Sequence, residues 1–174
     1  MALSLVQDYV RIARLTRREA FEIRIGGPVL IGHRPRTVNR FGSSNTRIRD
    51  TPSHGIPIPI LAQLSHQAPV EQFPPERWRE RRKARIGRQV DNEVILLDDS
   101  VSWVHAEVWW DEATDGYLVM DLGSANGTLV NGTPALAGAP APLDDGDAIQ
   151  FGDAVYRFYS PGGLFDALQP PTER

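Results

Sequence analysis

Cysteine is absent from the 174-residue chain. Its absence removes disulfides, thiolate zinc sites, iron–sulfur ligation and cysteine nucleophiles together. Histidine is scarce, at positions 33, 54, 66 and 105 only, too scattered for a histidine metal cluster. Neither a metal nor a cofactor is therefore expected. Lysine is almost missing as well. Lys83 is the single one, and it lies in a charged run, so there is no phosphate-binding glycine loop with its lysine. No G-x-S-x-G elbow occurs. Ser102 and His105 are three apart and would face opposite sides of an extended strand, which argues against a nucleophile–base pair. The many Asp and Glu residues sit mostly in turn-like sequence as solvated turn formers. No catalytic residue is expected, and the chain does not read as an enzyme. No apolar run approaches the ~18 residues of a membrane span.

What is abundant is charge, unevenly placed. Residues 1–89 hold 17 Arg/Lys and 7 Asp/Glu, a net +10. Residues 90–174 hold 2 and 15, a net −13. This pattern suggests a basic arm on an acidic body, drawn together by a salt-sensitive attraction. Over residues 2–15 the apolar Leu3, Leu5, Val6, Tyr9, Val10, Ile12 and Ala13 alternate with polar residues at helical spacing. That is an amphipathic helix rather than the apolar core of a secretory signal, so a cytoplasmic location is expected.

The chain divides into four parts. Residues 1–50 read as the amphipathic helix, a hairpin and a basic arm. The hairpin rests on two short runs, Phe21–Ile25 and Pro28–Ile31, joined by Gly26-Gly27. The arm is Arg-rich and aperiodic from 32 to 50. Residues 51–83 form a linker with six prolines between 51 and 75, able to supply an edge strand at Ile58–Leu64. Residues 84–160 alternate short apolar runs with Asp-Gly and Asn-Gly turns. Such spacing marks an all-β sandwich or barrel. Residues 161–174 form a tail, with one turn of helix expected near Leu164–Leu168.

Within 84–160 four motifs follow in order. Ile86-Gly87-Arg88 comes first, and Ser102-x-x-His105 begins fourteen residues after Arg88. Next comes Asp121-Leu122-Gly123-Ser124-Ala125-Asn126-Gly127-Thr128, followed by Asn131-Gly132. The last is Leu143-Asp144-Asp145-Gly146-Asp147-x-Ile149-x-Phe151-Gly152. Together they resemble the signature of a forkhead-associated (FHA) domain. The resemblance implies an all-β fold, an FHA-like β-sandwich of two antiparallel sheets, here with an N-terminal helix and hairpin/arm extension. It also implies a non-enzymatic adaptor whose loops at one end recognise a phosphothreonine-containing peptide of a partner protein. In the resemblance Arg88 and Ser102 contact the phosphate and Asn126 contacts the peptide backbone. Gly87, His105 and Gly127 shape the loops.

The residue chemistry agrees. A phosphate carries about −1.5 to −2 charge and several acceptor oxygens. The planar fork of Arg88 suits it, the Ser102 hydroxyl adds a neutral donor, and the Asn126 amide offers both a donor and an acceptor. Two positions depart from the family pattern. Trp103 stands where Arg or Asn is common after Ser102, and Ala125 stands where a hydroxyl residue often helps to hold the phosphate. Residues 84–160 are also acidic, with three Arg against thirteen Asp/Glu. These departures favour an alternative: a structural or scaffold subunit that docks a protein without phosphate, with Trp103 as a contact. The arm has only Phe41 as a stacking aromatic in 34–50, which speaks against specific nucleic-acid binding. The apolar face of the helix at 2–15 is expected to dock on a second protein partner or to fold back on the sandwich, in preference to a membrane.

Overall fold

In the computed structural model residues 5–32 and 67–169 are described. The chain opens with helices α1 (Val6–Leu15) and α2 (Arg18–Ile25), then strand β1 (Val29–Gly32). After residue 67 come β2 (Val70–Gln72), helix α3 (Pro75–Arg81), β3 (Lys83–Gly87) and β4 (Val94–Ile95). Next are β5 (Ala106–Asp111), β6 (Gly116–Asp121), β7 (Thr128–Val130) and β8 (Thr133–Ala135). The last elements are β9 (Ala141–Leu143), β10 (Ala148–Phe151), β11 (Ala154–Tyr159) and helix α4 (Pro161–Ala167). One sheet has the order β2-β1-β11-β10-β7-β8, the other β4-β3-β5-β6-β9. All pairings are antiparallel except β3 with β4. The two sheets form the β-sandwich the motifs imply.

The sandwich is larger than 84–160. Strand β1 lies inside the six-stranded sheet, paired with β11 from Val29↔Tyr159 to Gly32↔Tyr156 and with β2 on its other side. Its alternation sorts side chains between two cores. Leu30 enters the sandwich interior with Phe73, Ile86, Leu96, Phe151 and Phe158. Val29 and Ile31 face the opposite way, into a second core with Tyr9, Phe21, Ile25 and Leu164. A strand buried on both faces reads as an uninterrupted apolar run, as Val29–Ile31 does. The molecule therefore has three layers: helices, six-stranded sheet, five-stranded sheet.

Several expectations are corrected here. Phe21–Ile25 is helical, not the first strand of a hairpin. Phe21 and Ile25 are four apart, which puts both buried side chains on one helix face. Arg18 bonds Glu22 at 2.7 Å, and Gly26 stops the helix in a left-handed cap at φ 70°. The apolar face of α1, with Val6, Tyr9, Val10, Ile12 and Ala13, is buried against its own chain. Of the alternatives for this face, the fold shows it folded back on its own chain and thus covered toward a partner or a membrane, because β1 and α2 present a matching apolar surface. The tail carries α4, which packs Phe165 on Phe21 at 5.4 Å and bonds Asp166 to Arg18 at 2.8 Å. Strands β8 and β9, not foreseen, contain Pro134 and Pro142. Both are edge strands, where a missing N–H is tolerated. The described edge strand of the linker is β2; Ile58–Leu64 and the arm at 33–50 lie outside the described residues. Among the described residues no helix is long and apolar enough to cross a membrane.

If β1 is integral, Leu30→Ala in the whole chain lowers stability by about 2–5 kcal/mol, the cost of a core cavity. Urea unfolding measures this, and an unchanged midpoint would reduce β1 to an appendage.

Candidate functional site

The four motifs converge at one end of the sandwich, on the loops that follow β3, precede β5 and join β6 to β7. Gly87 sits where the first two loops touch. A Cβ there would lie 2.4 Å from the Trp103 carbonyl oxygen and 2.9 Å from the Asn92 amide nitrogen. That close approach lets the Arg88 N–H donate to the Ser102 carbonyl and the Gln89 N–H to the Trp103 carbonyl, both at 3.0 Å. Asn92, 5% exposed, adds two bonds from its side-chain amide, to the carbonyls of Trp103 (2.7 Å) and Gln89 (2.8 Å).

His105 ties the second loop to the third. Its side chain is wholly buried, edge-on to Phe151. Nδ1 accepts the Ser102 N–H at 3.0 Å, so the proton sits on Nε2, which donates to the Gly127 carbonyl at 3.0 Å. Burial lowers the His105 pKa, outweighing the Gly127 bond and the nearby Asp121 charge. The imidazole is therefore neutral. Ser102 and His105 do meet, contrary to the expectation, because 98–105 is a loop and not a strand. They meet through the Ser102 backbone, and the Ser102 hydroxyl makes no bond to the ring, so no activated nucleophile results.

The third loop is wound around Asp121. Its carboxylate accepts the N–H groups of Gly123 and Ser124, both at 2.8 Å, and the hydroxyls of Ser124 and Thr128, both at 2.7 Å. Burial pushes its pKa up, but these four bonds prevail and hold it below the ordinary carboxylate value. Gly127, at φ 79°, takes a conformation costly for other residues and turns its carbonyl to His105.

Against this scaffold the exposed side chains are set out. Ser102 Oγ accepts the Ala125 N–H at 2.9 Å, and its own proton has no acceptor among the described residues. Asn126 donates from Nδ2 to the Ser100 carbonyl at 2.7 Å, while its Oδ1 has no partner among them. Arg88 donates to Asp99 at 3.0 Å and lies over the Trp103 ring, 5.4 Å from its centroid. Trp103 is 65% exposed. All seven residues singled out from the motifs thus lie on these three loops or at their roots. Asp99, Ser100, Asn92 and Asp121 were not foreseen as parts of the site. Asp98-Asp99 looks like an ordinary turn in sequence, and only Asp121-Leu122-Gly123-Ser124, an Asx-type loop start, carried a readable signal.

Residues 84–152 match the family model of the FHA domain, and the chain carries an FHA domain over these residues. It is 39% identical over 99 residues to the mouse angiogenic factor with G patch and FHA domains 1, covering 52% of this chain and 14% of that protein. It is 42% identical over 66 residues to the oxoglutarate dehydrogenase inhibitor of Corynebacterium jeikeium, covering 38% of this chain and 42% of that one. Among solved structures it is similar to an FHA domain analysed for phosphothreonine-dependent interactions, with 32% identity, a TM-score of 0.42, and coverage of 52% of this chain and 82% of that one. The chain thus spans less than half the length of either curated relative.

Two outcomes test the scaffold. Gly87→Ala costs about 1–3 kcal/mol by forcing the loops apart, measured by denaturant unfolding. Stability also falls as pH drops below about 6.5, the ordinary histidine value, because the unfolded chain then binds a proton that buried His105 refuses. His105→Asn removes that part of the pH slope; an unchanged slope excludes His105 as its source.

Proposed function

We propose that the chain is a non-enzymatic adaptor that binds phosphothreonine-containing peptides of a partner protein through these loops. Arg88 and Ser102 take the phosphate, Asn126 takes the peptide backbone through its amide oxygen, and Gly87, His105 and Gly127 hold the loops in shape. The observation that carries this reading is the placement of Arg88 beside Ser102. Their backbones are bonded, and the Ser102 hydroxyl already accepts the Ala125 N–H and keeps its proton for a ligand. A guanidinium fork and a free hydroxyl carried by two residues whose backbones are bonded are complementary to a phosphate dianion. The solved FHA domain noted above, with its phosphothreonine-dependent interactions, supports the same ligand class. The adaptor is proposed to act in the cytoplasm. With the α1 face covered, a second protein contact falls to the Arg-rich sequence at 34–49.

One observation favours a second reading. Trp103 is a large exposed aromatic beside the site, and Ala125 lacks a hydroxyl. A phosphate-independent docking face anchored on Trp103 would use both facts.

Calorimetry on the whole chain with matched phosphorylated and unphosphorylated peptides separates the two. Arg88→Ala loses about 1.5–3 kcal/mol, roughly ten- to a hundredfold, for the phosphorylated form only. Ser102→Ala loses about 0.5–1.5 kcal/mol. A ligand indifferent to both its phosphate and Arg88, but lost on Trp103→Ala, establishes the docking reading instead.

A further inference from the structure

The Arg88–Asp99 pair is not explained by phosphate recognition alone. The Asp99 carboxylate is fully exposed and has no partner among the described residues other than Arg88. It occupies the guanidinium that a phosphate would need. The same loops carry Asp91 and Asp98, and the turn between β10 and β11 brings the Asp153 backbone to Ser100. Asp98 holds Ser100, whose hydroxyl in turn binds the Asp153 N–H, and Asp91 accepts from Gln89. Arg85, the nearest cation in sequence, is engaged with Glu93 and the Asp91 carbonyl. At this end Arg88 is therefore the guanidinium open to a ligand, and Asp99 is the carboxylate paired with it.

A phosphate that pairs with Arg88 arrives beside Asp99, and like charges at contact repel. A neutral flanking sequence leaves Asp99 displaced from its partner and facing the phosphate. A ligand with a cation next to the phosphothreonine gives Asp99 a new partner, and one ion pair is exchanged for two. From this geometry, and resting on the phosphothreonine reading, we infer that Asp99 is a specificity-determining residue and that the ligand is phosphothreonine flanked by Arg or Lys. The acidity of the whole domain acts in the same direction, because it draws a basic ligand in at long range. Exposed ion pairs are weak, so the preference from Asp99 is about two- to fivefold.

The test uses the whole chain and three fluorescent phosphothreonine peptides that differ only in the flanking residues: Arg, Gln or Glu. Anisotropy titration at low salt is expected to rank them Arg, Gln, Glu, with each step about two- to fivefold. In Asp99→Asn the Gln peptide binds more tightly than to the unaltered chain, and the Arg-to-Gln ratio falls toward one. Asp99 lies wholly in solvent, so the variant's melting temperature should match that of the unaltered chain, which checks its fold. Equal binding of the Arg and Gln peptides to the unaltered chain overturns the inference, as does a ratio that survives Asp99→Asn. Phosphopeptides that bind no better than their unphosphorylated counterparts overturn the phosphothreonine reading itself, a different result from the other two.

Discussion

A neutral imidazole with no access to water sets the geometry of the recognition end. His105 takes a backbone proton from Ser102 on one loop and gives one to the Gly127 carbonyl on another. Each of those backbone groups lies next to a side chain proposed to meet the ligand. Ser102 carries its own hydroxyl, and Gly127 follows Asn126. Because both ring nitrogens are committed and buried, the distance between the two loops is fixed by covalent ring geometry and not by packing alone. Protonation would break the arrangement twice: Nδ1 would become a donor facing another donor, and a charge would be buried beside Phe151. The Asp121 carboxylate, with four bonds of its own, fixes the third loop in the same manner.

These loops are rigid only if the sheets that carry them are, and the sheets depend on a strand from far upstream. Strand β1 separates two apolar cores, with Leu30 on one side and Val29 and Ile31 on the other. The helical layer is thus a structural part of the sandwich, not an arm that visits it. Apolar burial and a backbone ladder hold residues 5–32 in place. Such contacts respond little to salt, unlike the electrostatic docking that the charge asymmetry suggested.

The sequence was most legible where local chemistry has one solution. Asn-Gly and Asp-Gly turns, alternating apolar runs and the four ordered motifs marked the β-sandwich and, at its loop end, Arg88, Ser102, Trp103 and Asn126, but not the exposed Asp99. It was least legible where burial comes from distant partners. Phe21–Ile25 alternates enough to pass for a strand, and only contact with Phe165 and Ile31 makes its helical face the relevant one. Pro134 and Pro142 argue against strands until their edge positions are known. Asp99 looks like half of a turn, and its pairing with Arg88, eleven residues away, depends on a loop path that no period encodes. The separation of Ser102 from His105 was misjudged for the same reason: the strand geometry assumed for them begins one residue later, at Ala106.

Buried and exposed parts of the site therefore answer to different constraints. Gly87, Asn92, His105, Asp121 and Thr128 form a buried scaffold whose polar groups, apart from the Asn92 Oδ1, have partners among the described residues, and a change in any of them leaves a donor, an acceptor or a backbone contact unresolved. Arg88, Asp99, Trp103 and Ala125 project from that scaffold into solvent, and Asn126 does so while its amide also ties its loop to the Ser100 carbonyl; these are the positions the proposed reading turns toward the ligand. The two departures from the family pattern, Trp103 and Ala125, both fall in the outer set, and so does Asp99. A scaffold held by buried hydrogen bonds leaves exposed side chains such as Asp99 and Trp103 with little part in the stability of the loops that carry them. Direct contacts within the site then decide binding, while the net −10 of residues 84–160 acts as a screened background that favours one flanking charge over another.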